Sequence, residues 1–330
     1  MPQNIFAGGT PDKKTFYRQL ATLLSSGFSL SSALGNLEHN TPGILENVVS
    51  SFRKNIAESK TLAEAMEVFS PEIFSSFETG VVEAGEASGN LPESMARLAE
   101  YFEFSSGIRN KLIAGLTYPV VLLHLAVLIP AVPVLFLKGF GAFLVRVLPF
   151  LAFLYIFFFT AVFLYRYSGR VGYLAEKRDR IIFDIPWLGK FLQKMDIIRF
   201  LKSFTTLYIA GVGIVRAVEL AGGTVGNAYM KNDIRQSVPL LKEGKKLSDI
   251  FAGKSWMPSV VHDMLKTGEV SGSMDETLDR VAGYLREEAD VAVEQFVKLL
   301  PVAVYLIVAA YIGYIVISFY ARYFQMLNSF

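Results

Sequence analysis

Hydrophobic positions along the chain follow a helical period in two separate stretches. From Phe16 the apolar residues stand three and four apart until Gly27, and the same spacing starts again at Phe200 and stops at Gly211. This spacing places the apolar residues on one face of a helix, and a glycine is a common helix stop. Neither stretch shows the polar-apolar alternation that is typical of strands. The pattern therefore predicts two related α-helical bundles.

A short turn sequence marks the repeat. The pattern Gly-Glu-Xaa-Ser-Gly occurs at residues 85–89 and returns at 268–272, a shift of 183 residues. Its glycines allow the chain to leave one helix and enter the next within a few residues. Upstream, the stretch from Pro71 to Gly85 is four residues longer than its counterpart in the second copy, which predicts about one extra helical turn. The candidate site residues are Gly85, Glu86, Ser88 and Gly89 in one copy and Gly268, Glu269, Ser271 and Gly272 in the other.

Each turn is followed by the signature of a helix start. A residue with a good N-cap side chain stands three positions before a glutamate, which is the spacing of a capping box. The apolar residues that follow lie four, three and four positions apart, on one helical face. The pattern predicts caps at Asn90 with Glu93 and at Ser273 with Glu276, and a further capping box at Thr61 with Glu64.

The two motif glutamates allow two interpretations. Glu86 and Glu269 could bond nearby backbone N–H groups at a helix terminus. Alternatively, they could contact another domain or a partner, or bind a cation. Because each glutamate belongs to the same turn in both copies, the structural interpretation is favoured.

Three long apolar runs lie outside the predicted bundles. Residues 112–137 and 147–165 contain no Asp, Glu, Lys or Arg, and a third run covers 299–321. At about 1.5 Å per residue, each run can span a hydrocarbon core of about 30 Å. Three membrane-spanning helices are therefore predicted, the first two as a hairpin. His124 in the first run is interpreted as a packing or interhelical hydrogen-bonding residue, because no run contains an acidic partner.

Basic residues are concentrated at the ends of the runs that adjoin the bundles. Positively charged residues favour the cytoplasmic side of a membrane. The bundles and the N-terminus are therefore expected in the cytoplasm, and the hairpin turn and the C-terminus outside. The residues on the bundle side are Arg109, Lys111, Arg166, Arg170, Lys177, Arg178, Arg180 and Lys298, against Lys138, Arg146 and Arg322 on the other side.

These elements predict an all-α membrane protein with two homologous cytoplasmic helical-bundle domains and three transmembrane helices. The predicted order is a flexible N-terminal tail (1–15), the first bundle domain (16–110), transmembrane helix 1 (111–138), a short periplasmic turn (139–146), transmembrane helix 2 (147–167), the second bundle domain with its lead-in (168–298), transmembrane helix 3 (299–321) and a periplasmic tail (322–330).

Composition narrows the function further. Hydrophobic residues make up 52% of the 330 positions, which is typical of a membrane protein rather than a soluble one. A net charge of +2 argues against nucleic-acid binding. The chain has no cysteine and three scattered histidines, and it contains no phosphate-binding loop. We therefore expect no catalytic residues, no metal and no cofactor, and we expect the protein not to be an enzyme.

The doubled pattern resembles the type II secretion system F family. The resemblance rests on the two Phe-led helices that end in glycine and on the repeated Gly-Glu-Xaa-Ser-Gly turn, and it covers residues 14–325. It implies a homo-oligomeric platform, or scaffold, in the cell inner membrane, in contact with membrane lipid and with other inner-membrane assembly proteins. It also implies that a cytoplasmic secretion or pilus assembly ATPase is a partner and that pilins or pseudopilins are moved into a filament.

The alternative function is a small membrane transporter or channel subunit. Such a protein is expected to carry inverted repeats inside the membrane, broken helices or charges at the bilayer midplane. Here the repeats are direct and lie in the predicted soluble bundles, so the platform hypothesis is preferred.

Overall fold

The computed structural model describes residues 12–40, 44–69, 72–168, 172–186 and 188–327. These residues form fourteen α-helices and one short 3-10 helix, and none of them lies in a strand, which confirms the predicted all-α class. Residues 1–11 of the predicted N-terminal tail, the lead-in residue Trp187 and the last three residues of the chain lie outside the described residues. The predicted boundary between tail and first domain at residue 16 is too late, because residues 13–15 belong to α1 and Lys13 is buried.

The first bundle consists of helices α1 to α5 and the beginning of α6. Asp12 starts α1 by accepting a hydrogen bond from the Thr15 backbone N–H at 3.1 Å. The predicted stop at Gly27 is confirmed, since this residue has a φ of 86° just after α1 ends. The bounds are α1 Lys13–Ser25, α2 Leu30–Asn40, α3 Ile44–Ala57, α4 Leu62–Glu67, α5 Ser76–Ala87 and α6 Leu91–Leu128.

The second bundle repeats this order with helices α9 to α13 and the beginning of α14. The stop after α9 is again a glycine, Gly211, with a φ of 94°. The bounds are α7 Val132–Ser168, α8 Gly172–Asp184, α9 Leu188–Ile209, α10 Ile214–Gly223, α11 Ala228–Lys242, α12 Leu247–Phe251, α13 Ser259–Ser271 and α14 Met274–Leu327.

Consecutive helices pack on one another in both bundles, α1 to α5 in the first and α9 to α13 in the second. The aromatic residues that open the repeats, Phe16 and Phe200, are buried in the two cores. Leu20 and its counterpart Phe204 are buried one turn later. The apolar face read from the sequence is therefore the packed face in both copies, where burial of each side chain stabilises the fold by about 1.5–3 kcal/mol.

The prediction of an extra helical turn in the first copy is wrong. Helix α5 has 12 residues and α13 has 13, and their N-cap residues, Ser75 and Pro258, are also 183 positions apart. The additional residues lie before the helix, because Pro258 corresponds to Ser75 and not to Pro71. A constant shift of 183 residues thus relates α5 to α13 along their whole length.

The two bundles pack against each other through unlike faces. Helix α5 of the first bundle lies against α9 and α10 of the second. Gly80 permits this approach, since a Cβ atom there would lie 2.5 Å from Leu220 Cδ1 and 3.5 Å from Leu207 Cδ2. At the edge of the contact Arg216 donates to the Glu83 carboxylate at 2.7 Å. The bundles form one compact unit, made of residues 1–109 and 175–290.

The apolar runs form the second compact unit, residues 110–174 and 291–330. A 3-10 turn at Ile129–Ala131 follows α6, and the helical chain then breaks at Gly139, which has a φ of 82°. His124 Nε2 lies 2.7 Å from the Tyr155 hydroxyl across the break, so the chain folds back as a hairpin. The turn predicted over residues 139–146 is narrower than expected, because a glycine reverses the chain at one position and residues 140–146 stay helical.

Two helical runs are long and apolar enough to cross a membrane. Within the part of the chain that the structure describes, these are Leu91–Leu164 and Met274–Gln325, in which an apolar stretch of 18 residues has a mean hydropathy of 2.7 and 2.3. The first run contains the break at Gly139. Large apolar side chains in these runs are exposed, among them Phe136 at 82% and Leu137 at 83%. A contiguous apolar surface of this kind fits contact with lipid rather than a water-exposed helix.

Candidate functional site

The two motif glutamates make the same contact in their respective bundles. Glu86, in the last turn of α5, accepts hydrogen bonds from the backbone N–H groups of Leu62 at 2.6 Å and Ala63 at 3.0 Å. Glu269, in the last turn of α13, accepts from Leu247 at 2.7 Å and Ser248 at 3.0 Å. Each carboxylate therefore binds the first two N–H groups of a short helix, α4 or α12. These groups have no partner within their own helix, and the positive end of the helix dipole favours an anion there.

The first glycine of each motif allows close packing of two helices. A Cβ atom on Gly85 would lie 2.4 Å from the Ser94 hydroxyl oxygen, and one on Gly268 would lie 2.6 Å from the Thr277 hydroxyl oxygen. Ser94 and Thr277 are themselves 183 positions apart. The helix that carries the glutamate thus packs tightly on the long helix that follows it in both copies.

The motif serine and second glycine end the helix. The Ser88 hydroxyl donates to the Ala84 carbonyl and the Ser271 hydroxyl donates to the Thr267 carbonyl, both at 2.8 Å. These bonds satisfy carbonyl groups at the end of the helix. Gly89 and Gly272 both have a φ of 71°, in the left-handed region where a glycine is favoured.

Gly89→Val and Gly272→Val are each expected to destabilise their own bundle by about 1–2 kcal/mol, the cost of the left-handed region for a residue with a Cβ atom. A Cβ atom at either glycine would meet no atom within 4 Å, so the cost comes from backbone conformation alone. The matched controls Gly89→Asn and Gly272→Asn are expected to cost less, because Asn tolerates this region. Hydrogen exchange of the full-length protein in detergent would measure both series, and equal protection in the Val and Asn variants would contradict the argument.

The predicted caps after the motif only partly match the structure. The helices begin at Leu91 and Met274, directly after the predicted cap residues Asn90 and Ser273. Among the described residues, neither start shows the reciprocal hydrogen bonds of a capping box. In the first copy the reason is that the Asn90 backbone N–H already donates to the Gly85 carbonyl at 2.8 Å, which closes the preceding helix.

The side chains at these starts bond locally instead. The Asn90 amide and the Arg97 guanidinium donate to Glu93, each at 2.5 Å. The hydrogen bond from Asn90 has the largest effect on the pKa of Glu93, and together with the bond from Arg97 it holds this pKa below its ordinary value. Glu276 lies 3.9 Å from Arg280, and the Ser273 hydroxyl lies 2.6 Å from that of Ser271. The further capping box predicted at Thr61 and Glu64 is confirmed.

A buried polar cluster in the first bundle was missed by the sequence analysis. Lys13 Nζ lies 2.8 and 2.9 Å from the two carboxylate oxygens of Glu78, and the Tyr17 hydroxyl donates to the same carboxylate at 2.8 Å. Glu78 and Tyr17 are fully buried, and burial, followed by the charge of Glu78, raises the pKa of Tyr17 well above its ordinary value. Glu78 also forms a capping box with Ser75, and this Ser-Xaa-Xaa-Glu spacing was visible in the sequence.

The second bundle replaces this cluster with apolar residues. The repeat shifts place Ile197, Leu201 and Val261 at the positions of Lys13, Tyr17 and Glu78, and all three are buried. Pro258 stands at the position of Ser75 and has no backbone N–H for a carboxylate to accept. Equivalent buried positions are therefore filled by a polar cluster in the first copy and by apolar side chains in the second.

Within the residues that the structure describes, no group of three or more His, Asp or Glu side chains is placed to hold a metal ion. The motif carboxylates instead lie in two separate bundles, each against backbone N–H groups. This geometry holds helices in position.

Comparison with known proteins matches two segments of the chain, residues 16–137 and 200–321, to the family model described as "Type II secretion system (T2SS), protein F". Each matched segment contains one bundle and the apolar run that continues from its last helix. The chain is 25% identical to the type IV pilus assembly protein PilC of Pseudomonas aeruginosa over 96% of its own length and 90% of that protein.

Two further relatives extend the comparison. PilC of Thermus thermophilus is 28% identical over 97% of this chain and 84% of its own length. The type II secretion system protein F of Aeromonas hydrophila is 27% identical over 80% of this chain and 73% of its own length. The similarity thus extends over both bundles and includes proteins of both kinds of machine.

Proposed function

The chain belongs to the family of type II secretion system protein F, and from this premise we propose that it is the inner-membrane platform of a type II secretion or type IV pilus machine. The family is a structural component of the inner membrane and is not a known enzyme family. The observation that carries the proposal is the match of both bundles, each together with its following apolar run, to the family model.

The platform couples a cytoplasmic assembly ATPase to the extrusion of pilins or pseudopilins. Support comes from the sequence, which lacks a phosphate-binding loop, so the energy for movement has to come from a partner. The two bundles pack into one unit and offer related surfaces to such a partner. Other inner-membrane assembly proteins, membrane lipid and further copies of the chain complete the proposed set of partners.

The long helices α6 and α14 are suited to carry movement. Each starts directly after a Gly-Glu-Xaa-Ser-Gly turn and runs without interruption from a bundle into an apolar run. We propose that the motif serves to hold these two starts, through the glutamate bonds to α4 and α12 and the tight glycine contacts. A displacement of the bundles would then act on the membrane segments through these continuous helices. This coupling is inferred from the position of α6 and α14 in the chain, between the bundles and the apolar runs.

A pull-down and a deletion test the proposal together. Purified full-length protein in detergent is expected to retain the secretion or pilus assembly ATPase of the same cell, with detergent extract from the deletion strain as the control. Secretion or filament assembly is expected to be lost in the deletion strain and restored by the gene. Intact assembly without the protein, or nucleotide hydrolysis by the protein alone, would overturn the proposal.

The topology is proposed as three spans with the N-terminus in the cytoplasm and the C-terminus outside. It is supported by the excess of basic residues beside the bundles and by the hairpin at Gly139. Reporter fusions that are active only in the cytoplasm are expected to work at residues 10 and 240 and to fail at residue 142. A reporter active only outside the cytoplasm should give the opposite result at all three positions, and cytoplasmic activity at residue 142 would contradict the model.

A further inference from the structure

A groove is open on the surface of the first bundle, between α1 and α2. Its volume is ≈ 320 Å³. Both polar and apolar side chains line it, and the exposed Phe28 stands at the turn between the two helices. The lining residues are Arg18, Gln19, Thr22, Leu23, Asn36 and Leu37.

The equivalent groove of the second bundle is filled. The repeat shift of 184 residues places Leu207 at the position of Leu23 and Leu220 at the position of Asn36. These two leucines are the residues that Gly80 of α5 approaches. Helix α5 of the first bundle therefore occupies, on the second bundle, the position that corresponds to the open groove on the first.

Among the described residues, each chain thus uses one helix and one groove of this kind in the contact between its bundles and leaves the other helix and the other groove exposed. The helix that corresponds to α5 is α13, and its outer face carries Asp263, with 77% of its side chain exposed. Val260 and Val270 flank it on the same face and are 49% and 73% exposed. We propose that α13 of one copy of the chain docks into the α1–α2 groove of a second copy, and so repeats between chains the contact that α5 makes within the chain.

The residues at the centre of the internal contact and those at the centre of the proposed contact differ in polarity. Inside the chain, Gly80 meets the apolar Leu220. Between chains, Asp263 stands at the position of Gly80 and Asn36 at the position of Leu220, so both sides of the contact are polar. Gln19 and Arg18 also line the groove, and the Arg18 guanidinium, which donates to Glu103 at 2.5 Å, has further N–H groups that can donate to a second carboxylate.

Overall charge favours a contact between unlike bundles. Residues 1–110 carry 8 Lys and Arg against 13 Asp and Glu, whereas residues 168–298 carry 19 against 17. The first bundle is therefore acidic and the second slightly basic, so a contact between unlike bundles is electrostatically more favourable than a contact between two first bundles. Two first bundles would repel each other by the same argument.

The contact is heterologous, because a helix of one copy meets a groove of the next. Heterologous contacts form rings when the rotation between neighbours closes. Copies anchored in one membrane share one orientation, so neighbours would be related by rotation about the membrane normal. This inference rests on the self-association proposed above and names its surface, and it does not depend on the ATPase.

The absence of cysteine from the chain allows a specific cross-linking test. The full-length variant with both Asn36→Cys and Asp263→Cys, in its own membrane under oxidation, is expected to give a ladder of dimers, trimers and larger products. Coexpression of the two single variants is expected to give dimers and nothing larger, since each chain then carries one cysteine. Either single variant alone should remain monomeric.

Two matched variants make the result decisive. Gly80→Cys with Leu220→Cys is the internal calibration, and it should close within one chain because these positions already touch. Glu46→Cys with Asp263→Cys replaces the groove cysteine with one on the exposed side of α3 and should give no ladder. A closed internal pair without a ladder in the Asn36 and Asp263 variant, a dimer from Asn36→Cys alone, or an equal ladder with Glu46→Cys would each overturn the inference.

The same membranes separate this inference from the proposed function. If the Asn36→Cys and Asp263→Cys variant forms no ladder but still retains the ATPase in the pull-down, the docking surface alone would be refuted. Loss of ATPase binding with an intact ladder would refute the coupling role and leave the surface in place.

Discussion

Lys13→Ala is expected to destabilise the first bundle by about 3–5 kcal/mol, the cost of breaking a buried ion pair by removing one partner. Lys13 is 9% exposed and Glu78 is fully buried. Without the ammonium group, the Glu78 carboxylate would keep the Tyr17 hydroxyl and the cap of α5 but would lose its only ion-pair partner among the described residues.

The second bundle indicates how this loss can be avoided. In the second bundle Ile197, Leu201 and Val261 take the places of Lys13, Tyr17 and Glu78. Pro258 takes the place of Ser75, and it has no backbone N–H like the one that Ser75 donates to Glu78. Replacing these four residues of the first bundle by their counterparts is expected to lower its stability much less than Lys13→Ala does, because replacing a buried ion pair by packed apolar groups is often neutral or stabilising. The transplanted substitutions are Lys13→Ile, Tyr17→Leu, Ser75→Pro and Glu78→Val.

Hydrogen exchange of the full-length protein in detergent would measure both variants. The opening free energy of amides in α1 and α5 should fall in Lys13→Ala and largely recover in the fourfold variant. Lys60→Ala, at an exposed ion pair, is the matched control and should change little. A small loss in Lys13→Ala, or a fourfold variant as unstable as the single one, would contradict the argument.

Glu269→Ala is expected to destabilise the start of α12 by about 1.5–3 kcal/mol, the range for hydrogen bonds to a charged group. The effect of Glu86→Ala on α4 should be smaller. Helix α4 retains a second cap after Glu86 is lost, the capping box between Thr61 and Glu64. Helix α12 starts after Lys246, which provides no side-chain cap, so Glu269 is the main partner of its first N–H groups.

Exchange of the first amides in α4 and α12 would test this difference. Protection of Leu247 and Ser248 should fall more in Glu269→Ala than protection of Leu62 and Ala63 in Glu86→Ala. Glu276→Ala is the control in the same bundle, since its side chain is exposed and 3.9 Å from Arg280. Equal losses in the two motif variants would show that the Thr61 capping box does not compensate.

Much of the fold could be predicted because its signals are local. The period of apolar residues from Phe16 and Phe200, the glycine stops and the repeated turn depend on residues within one or two helical turns of each other. The long apolar runs predict membrane segments by length alone. The repeat also supplied a correspondence between distant positions that a single copy would not have shown.

Contacts of the motif glutamates were only one of two interpretations in the sequence. The sequence places Glu86 three residues before Gly89, but its partners Leu62 and Ala63 lie 24 and 23 positions away. The pairing of Lys13 with Glu78 spans 65 positions. Such partners are brought together by the packing of helices, and no local spacing encodes them.

The sequence by itself determined that the chain is helical, is built twice and carries apolar runs, because periodicity and composition set secondary structure and burial. The tertiary structure alone decided which face of α5 meets the second bundle and which groove of the first bundle is left open. A helix presents several faces, and which one is buried depends on shape at the contact. There Gly80, a residue with no side chain, lets the helix approach Leu207 and Leu220.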